Sequence, residues 1–266
     1  MYDIRLDLNG KTLRMNHGTG YDIATISSLT GMESNVNTVQ SATGRGVRYV
    51  NSKINGANIA IRGYILDGAT AAKRTLLAAA IPAATGTLTV YDGNAEYRKI
   101  DIVVKTAPQI AQTHHSAFSL TLFAPDPAWE AVTAETITPS AAGYQGTYTV
   151  AGDMAADFSV SITPTATLQE FLLVFDGTTD HRKNLYIDFR KMLTPLAANA
   201  TAIFSRKKDR VTLTVNGIPA IGCVNSQSTL DRLAPGAHDV YISTGNVETT
   251  AVITYYPAYS GVVLDV

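Results

Sequence analysis

The 266-residue chain has few cysteines, little charge and no long apolar run. Cys223 is the only cysteine, so no internal disulfide can form and a disulfide-built secreted domain is excluded. Without a run of about 18 apolar residues, we expect no membrane span. The first residues alternate apolar and charged, so we expect no signal peptide. We therefore expect the protein to be made in a cytoplasm. The net charge of -1 gives no global positive field for nucleic acid or an anionic membrane.

Residues with metal-binding or catalytic chemistry are present, but not at the spacings that such chemistry needs. The histidines lack metal-ligand spacing on a helix: His17, His114, His115, His181 and His238. Cys223, between Gly222 and Val224, is interpreted as a buried, inert thiol. The sequence therefore predicts no enzyme, no catalytic residue, no metal site and no cofactor.

Four short motifs resemble known sites but favour turns or linkers. Asp176-Gly177 followed by Asp180 lacks the alternation and the distal Glu of a calcium loop. Gly18-Thr-Gly20 and Gly44-Arg-Gly46 lack the third glycine of a dinucleotide site. Glu130 and Glu135 fall in a segment predicted to be a linker, which is a poor place to hold two carboxylates in fixed geometry.

Basic and aromatic clusters could point to ligands, and each has a plainer interpretation. The run Arg206-Lys207-Lys208 contains an acid, Asp209, before Arg210, and favours a solvated turn over nucleic-acid contact. Sugar-binding sandwiches use exposed rings as platforms, and the rings to consider are Trp129, Tyr255, Tyr256 and Tyr259. Because Tyr255 and Tyr256 alternate across a strand, at least one should point inward, and packing is the favoured role.

The first half of the chain predicts strands around one helix. Ile4, Leu6 and Leu8 alternate with charged residues up to an Asn9-Gly10 turn, and a polar region at 18–56 predicts an extended hairpin or arm. Asp67 is expected to cap a helix from about Ala69 to Pro82, with Leu76, Leu77, Ala80 and Ile81 on its apolar side. A hairpin around Asp92-Gly93-Asn94 follows, and then a strand with Phe118, Leu120 and Leu122 inward, which Pro125 and Pro127 end.

The second half, from about Tyr148, shows only strand signals. Apolar residues alternate or run together in short segments: Phe158 to Ile162, Phe171 to Phe175, Leu185 to Phe189, Val211 to Val215, Val240 to Ile242, and Val252, Thr254 and Tyr256. Asn216-Gly217 is the strongest hairpin signal of the chain. Short strands at spacings near ten residues predict a β-sandwich. The Ala-, Thr-, Ser- and Gly-rich segment between the halves predicts a linker.

The order of these elements resembles the distal tail proteins (Dit family) of long-tailed siphophages. In the first half, the resemblance rests on the polar lead-in, the strand at 59–66, the helix begun at Asp67, Leu88-Thr-Val-Tyr91, and the strand that ends before Asp126-Pro127. In the second half, it rests on Val211-Thr-Leu-Thr-Val215-Asn216-Gly217 and on Leu233-Ala-Pro235-Gly236-Ala-His238. The latter is similar to the family's L-x-P-G-x-N turn, with His238 where Asn is usual. The terminal strand, ending in Tyr256-Pro-Ala-Tyr259, also fits.

The resemblance implies a mainly β protein with an N-terminal split β-barrel, tail-tube-like with one helix, and a C-terminal galectin-like β-sandwich. The implied division is a ring-forming domain at 1–131, a linker at 132–147 and the sandwich at 148–266. The implied role is the structural hub of a tail tip. Six copies would form a ring between the tail tube protein and the host-adhesion device, at the tail tip of a virion assembled in the host cytoplasm.

The implied partners are the chain itself, the tail tube protein, the tail-associated tip or lysin protein and a receptor-binding protein. DNA would be met only by passage through the ring, and no membrane is implied. A carbohydrate-binding or host-receptor-binding module of a phage or prophage particle is the alternative, and an enzyme ranks third.

Overall fold

The computed structural model describes residues 2–27, 29, 34–40, 47–66, 70–111, 116–139, 145–177, 183–208 and 210–263; at 17, 34–40, 47–53, 145, 176, 177 and 183 it describes the backbone alone. The chain divides into two compact units. The first comprises Met1–Val132 and Tyr259–Val266, and the second comprises Thr133–Ala258. No helix of the described residues is long and apolar enough to cross a membrane.

The first unit is a curved antiparallel sheet with one helix. Its elements are β1 (Ile4–Leu8), β2 (Lys11–Met15), β3 (Tyr21–Ile26), β4 (Ser34–Gln40), β5 (Val47–Ile54), β6 (Ala57–Ile65), α1 (Thr70–Ala79), β7 (Thr85–Asp92), β8 (Ala95–Ile110), β9 (Ser116–Ala124) and β10 (Trp129–Ala131). The main sheet has the order β2-β1-β7-β8-β9-β6-β3, and β10 pairs with β8.

Period-2 alternation determines which face of this sheet is buried. Ile4, Leu6 and Leu8 are buried, as are Phe118, Leu120 and Leu122 on β9. Asn9 and Gly10 both have positive φ, 49° and 69°, which is the geometry of a two-residue hairpin turn between β1 and β2. The predicted hairpins and the strand that ends before Pro125 are therefore confirmed.

Local irregularities bend two of the longer strands. The pairing of β8 with β9 shifts register between Thr106 and Gln109, where Pro108 has no N–H to donate to a ladder. The pairing of β3 with β6 shifts between Ile23 and Thr25. Bulges of this kind increase the local twist of a strand and re-aim its side chains.

Strands β4 and β5 form a separate two-stranded ribbon. Their register runs from Ser34 opposite Ile54 to Gln40 opposite Val47, with an irregularity next to Asn37. In the described part of the chain, neither strand pairs with the main sheet. The predicted extended hairpin within 18–56 is therefore confirmed, and its ends lie side by side at Ser34 and Ile54.

The C-terminal residues complete the core of the first unit. Val262 is buried there, its N–H donates to the Leu29 carbonyl at 2.7 Å, and Tyr259 packs against the same core. The prediction had placed these residues at the end of the second domain, 148–266. Their apolar character gave no indication of which core they join, so this boundary differs from the predicted one.

The second unit contains two antiparallel sheets and only strands and short 3-10 turns among its described residues. Its strands are β11 (Glu135–Ile137), β12 (Gln145–Val150), β13 (Phe158–Pro164), β14 (Glu170–Gly177), β15 (Lys183–Asp188), β16 (Ala202–Lys207), β17 (Arg210–Val215), β18 (Ile218–Pro219), β19 (Gly236–Ser243), β20 (Thr249–Tyr255) and the start of β21 (Ala258–Tyr259). The sheet orders are β11-β20-β13-β16-β17-β18 and β12-β19-β14-β15.

One buried cluster joins both sheets of the second unit, with Phe158, Phe171, Phe189 and Phe204 among its largest members. On β20 the inward residues are Ala251, Ile253 and Tyr255. Val252, Thr254 and Tyr256, the alternating residues that predicted a strand here, lie on its other face. Side chains alternate strictly between the two faces of a strand. Because Ala251 is small, the sequence does not show which face of β20 is buried.

Part of the predicted linker at 132–147 is ordered sheet. Strand β11 pairs with β20, and Ile137 is 4% exposed. Tyr255 holds this segment, because its hydroxyl donates to Glu135 Oε2 at 2.6 Å. The mainly β architecture with one helix is confirmed for the described residues, whereas the split-barrel and galectin-like assignments stay predictions.

Candidate interaction surfaces

The described histidines and acids do not gather into a metal site. No group of three or more His, Cys, Asp or Glu side chains suited to a metal occurs within the described ranges. His114, His115, His181 and Asp180 lie outside those ranges, as does Gly44-Arg-Gly46. Glu135 is engaged by Tyr255, and Gly18-Thr-Gly20 forms a 3-10 turn that ends at Gly20 with φ 87°. The absence of a catalytic or cofactor site stays a prediction.

Cys223 and His238 both have structural surroundings. Cys223 is buried, and that burial raises the pKa of its thiol, which disfavours the reactive thiolate. His238 Nε2 lies 2.8 Å from the Ala234 carbonyl oxygen, and Gly236 between them has φ 109°. An Asn side chain can donate the same kind of bond, so His238 preserves the Leu233–His238 turn despite its departure from the motif.

The basic run forms a hairpin turn, as predicted. Lys207 pairs with Arg210 across the turn, and Lys208 has φ 53°. Arg206 makes an ion pair with Asp231, and the Lys208 N–H donates to Asp157 Oδ2 at 2.6 Å. These bonds order the turn, and the ion pair with Asp231 uses the charge of Arg206.

The aromatic residues are mainly packed. Trp129 is 2% exposed and Tyr255 is 1% exposed, so neither ring can serve as a stacking platform. Tyr256 is 39% exposed, which agrees with the expectation that one of the two tyrosines points inward. In the first unit, the Arg98 guanidinium lies 3.6 Å from the Tyr259 ring centroid and donates to the Gly261 carbonyl.

A polar network of two arginines and three carboxylates lies on the outer face of the sheet at β1, β2 and β8. Arg5 Nε lies 2.8 Å from Asp7 Oδ2, and Arg5 also contacts Glu96. Arg14 Nη2 lies 2.8 Å from Asp3 Oδ2, and this hydrogen bond raises the pKa of Arg14. Since each carboxylate faces a guanidinium, this surface can order strands or contact another protein but offers no free acid–base pair.

Two apolar features of the first unit face outward. On α1, Leu77 is 50% exposed and Ile81, just beyond the helix, is 46% exposed. The second feature, the Tyr64 groove, has a volume of about 660 Å³ on the outer side of β3, β6, β8 and β9. Its walls include Thr25, Arg62, Tyr64, Gln109 and Ile110. The register shifts at Ile23–Thr25 and Thr106–Gln109 adjoin the groove, so the bulges of β3 and β8 shape it.

The second unit has an apolar depression, the Leu193 groove, of about 570 Å³, with walls that include Met192, Leu193, Pro195, Ile218, Pro219 and Cys223. Leu193 has a relative exposure of 107% and Ile218 of 70%. Ile221, in the adjacent 3-10 turn, is 48% exposed. Exposed apolar residues that cluster around a depression are typical of a binding surface, whereas isolated ones are not.

Sequence reasoning identified one part of this groove and missed the rest. The Asn216-Gly217 turn, with φ 47° and 81°, was predicted, and it places Ile218 at the groove. Leu193 gave a weak signal only: a large apolar residue in a Lys-Met-Leu-Thr-Pro segment that lacks strand alternation. No sequence pattern linked residues 191–197 to residues 215–223.

No protein-family model matches the sequence, and no curated protein matches it by sequence. The fold, in contrast, is similar to solved phage structures. One is the SPP1 Dit (gp 19.1) protein, described as a paradigm of the hub adsorption apparatus in phages that infect Gram-positive bacteria. It is 10% identical, with a TM-score of 0.74, over 97% of this chain and 99% of that chain.

A chain of the phage P2 baseplate, in its activated conformation with calcium, is similar at a TM-score of 0.51 and 10% identity, over 98% of this chain and 99% of that one. The resemblance to distal tail proteins predicted from the sequence is therefore confirmed at the level of the fold.

Proposed function

We propose that this protein is the structural hub of a phage tail tip. The observation that carries the proposal is the likeness to the SPP1 Dit protein across 97% of the chain, because it includes both units and not one common β-module. Shared fold alone does not assign function, so the surfaces of this chain must also suit assembly. They do: the chain has a two-stranded ribbon separate from the main sheet and a groove on each unit.

In the proposed assembly, six copies form a ring through the first unit, between the tail tube protein and the tail-associated tip protein. The second unit then holds the host-adhesion device, including a receptor-binding protein. DNA meets the chain only by passing through the ring. The protein is a virion component of the tail tip, assembled in the host cytoplasm, and not an enzyme.

The β4–β5 ribbon is the proposed arm of the ring contact. A two-stranded hairpin alone is marginally stable in water and gains stability when it packs against another surface. The segment 34–54 contains Arg45, Arg48 and Lys53 and no acidic residue. A closed ring needs two different patches on each copy, and a basic arm that docks on a neighbouring copy supplies one of them.

Mass measurement in solution tests the ring. Six copies of the 28.3 kDa chain would give a particle of about 170 kDa. Light scattering after size-exclusion chromatography should give that mass over a range of concentrations. A monomer mass at all concentrations up to about 100 μM, where even weak symmetric contacts populate oligomers, would contradict the ring.

The arm has a sharper test of its own. Replacing residues 35–53 with an Asn-Gly turn should leave the rest of the chain folded, because Ser34 and Ile54 are direct cross-strand partners. The expected product is a folded species of smaller mass than the parent. The matched variant Arg48→Gln with Lys53→Gln keeps the ribbon but lowers its charge. An unchanged oligomer mass after loop replacement would show that the arm assignment is wrong.

The second unit is proposed to attach proteins without galectin-type sugar binding. A lectin site needs a stacking ring over convergent polar groups, and Trp129 is buried and belongs to the first unit. A glycan array with the full chain tests this directly. Binding tighter than about 1 mM, or roughly -4 kcal/mol, that is lost in Tyr256→Ala would instead support the carbohydrate-binding alternative.

A further inference from the structure

The Leu193 groove has the composition of a protein-binding site. Most of its wall residues are aliphatic, proline or methionine; the polar ones are Thr194 and Asn216, and the one charged residue is Lys191. Leu193 and Ile218 expose most of their surface to water in the isolated chain. Covering apolar surface of this kind is favourable by about 25 cal/mol per Å². An apolar occupant therefore gains more binding free energy here than on a polar face.

The groove is preformed. On one side, Leu168 and Leu196 exchange backbone hydrogen bonds of 2.8 and 3.1 Å, which fix the segment after Leu193. On the other side, the Ala220 N–H donates to the Leu213 carbonyl at 2.8 Å and so holds β18 against β17. Pro195 and Pro219 restrict the two walls further. A partner therefore loses little of its binding free energy to ordering the groove.

Backbone pairing is not the mode of binding that this surface offers. Strand β18 is the edge of the six-stranded sheet, but it has two residues and one of them is Pro219, which has no N–H to give. The occupant must therefore be recognised through its side chains. No aromatic ring lines the groove among the described residues, which disfavours a stacked sugar.

Charge determines the chemistry of the occupant. Arg190, next to Lys191 in sequence, already pairs with Glu170 and with Asp188, 2.8 Å from its Nε. Lys191 is exposed and lines the groove, so it can pair with a carboxylate on an occupant. Complementarity at such a rim contributes mainly to specificity and association rate, while the apolar walls provide the affinity.

We propose that the Leu193 groove binds an extended segment of another tail-tip protein, with two or more large apolar residues and an Asp or Glu beside them. This inference rests on the proposed hub role and names the surface through which the second unit would hold an adhesion component. A second copy of this chain is the competing occupant, and the tests below distinguish the two.

The probe is a library of random dodecapeptides selected against the immobilised full chain, with counter-selection against Leu193→Asp/Ile218→Asp. Recovered peptides should combine large apolar residues with an Asp or Glu. Affinity can be measured by fluorescence anisotropy with the fluorophore on the recovered peptide, so that the residues of the groove stay unaltered. We expect Ile218→Asp to weaken binding at least tenfold, and Lys191→Glu about threefold to tenfold.

Ile203→Asp is the matched control. Ile203 is 46% exposed on β16 of the same sheet but does not line the groove, so this variant should bind like the parent.

The proposal is overturned if no peptide distinguishes the parent from the double variant, if Ile203→Asp weakens binding equally, or if the peptides carry no acid. A fall in oligomer mass in Leu193→Asp would assign the groove to a second copy. The ring is tested by the mass of the parent protein and the groove by peptide binding. Failure of the hub proposal and failure of the groove proposal therefore give different results.

Discussion

Tyr21 connects α1 to the sheet of the first unit through one buried hydroxyl. This hydroxyl donates to the Ala72 carbonyl at 2.7 Å, and the ring packs edge-on to Phe118 at 6.1 Å between centroids. Burial raises the pKa of Tyr21 to about 12. An ionised Tyr21 would lose both its donated bond and its apolar surroundings, so the neutral form belongs to the folded state.

Tyr21 should therefore make the first unit sensitive to alkali. The folded pKa is raised above the unfolded value near 10, so this contribution to stability is fully present below about pH 10 and is lost as pH rises from 10 to 12. We expect the unfolding free energy of Tyr21→Phe to be about 1 kcal/mol lower than that of the parent at pH 7. Between pH 9 and 11, the variant should lose less stability than the parent does. Urea unfolding at each pH measures both. Tyr64→Phe, at an exposed ring, is the control, and equal alkaline losses in the two variants would refute the assignment.

Gly63 is required for the close approach of β6 to β3. A Cβ at this position would lie 2.2 Å from the Asp22 carbonyl oxygen, which is backbone and cannot turn away. We expect Gly63→Ala to lower the unfolding free energy by about 2 kcal/mol or more, since strands must separate to accommodate it. At Gly18 the nearest atom is 3.7 Å away, so Gly18→Ala should change stability by less than about 1 kcal/mol. Similar melting temperatures for the two variants would contradict the steric argument.

At the scale of elements, α1 shows how a correct helix assignment can have only half of its buried face right. The helix forms at 70–79, but its buried residues are Leu76 and Ala79, followed by Ala80, whereas Leu77 and Ile81 face outward. The segment is apolar on more than one side, so periodicity alone cannot orient it. The outward pair is a small apolar stripe on the proposed ring-forming unit.

The two adjacent leucines of α1 should therefore respond differently to truncation. Leu76 is 0% exposed, and Leu76→Ala should cost about 2–5 kcal/mol through lost burial and a residual cavity. Leu77→Ala should cost less than about 0.5 kcal/mol. Thermal unfolding of both variants checks this. Leu77→Ala could destabilise the oligomer as much as Leu76→Ala does and yet leave dissociated chains unchanged. In that case, the apolar stripe of Leu77 and Ile81 lies in a contact between copies.

The strands were largely predictable from sequence because their signals are local. Alternation in Ile4–Leu8, the Asn9-Gly10 and Asn216-Gly217 turns and the prolines after Ala124 each act within a few residues. The Leu193 groove and the placement of Val262 depend instead on residues far apart in the chain. A single sequence gives no direct measure of such proximity, so these features required the structure.

At the scale of the whole molecule, the second unit is an insertion between two segments of the first. The fragment whose ends match the second unit is therefore 133–258. It retains β11 and the hydrogen bond from Tyr255 to Glu135. A fragment of 144–266 loses Ile137 from the core and keeps Tyr259 and Val262 without their partners. We expect 133–258 to unfold cooperatively at a higher temperature than 144–266 by several degrees.

Circular dichroism and light scattering of the two fragments, at equal concentration, provide the measurement. Fragment 144–266 should also associate more readily, because its last residues expose apolar surface. If 144–266 matches or exceeds 133–258 in melting temperature, the unit boundary at Thr133 and Ala258 is wrong.

The return of Tyr259 and Val262 to the first unit has a consequence for the timing of biosynthesis. About 126 residues are translated between Val132 and Tyr259, which takes roughly 6–25 s at 5–20 residues per second. During that interval the nascent first unit lacks the side chains that close its core. A chain that ends before Tyr259 would thus lack the side chains that complete this core, so the first unit can finish folding only after the ribosome has read through to Val262.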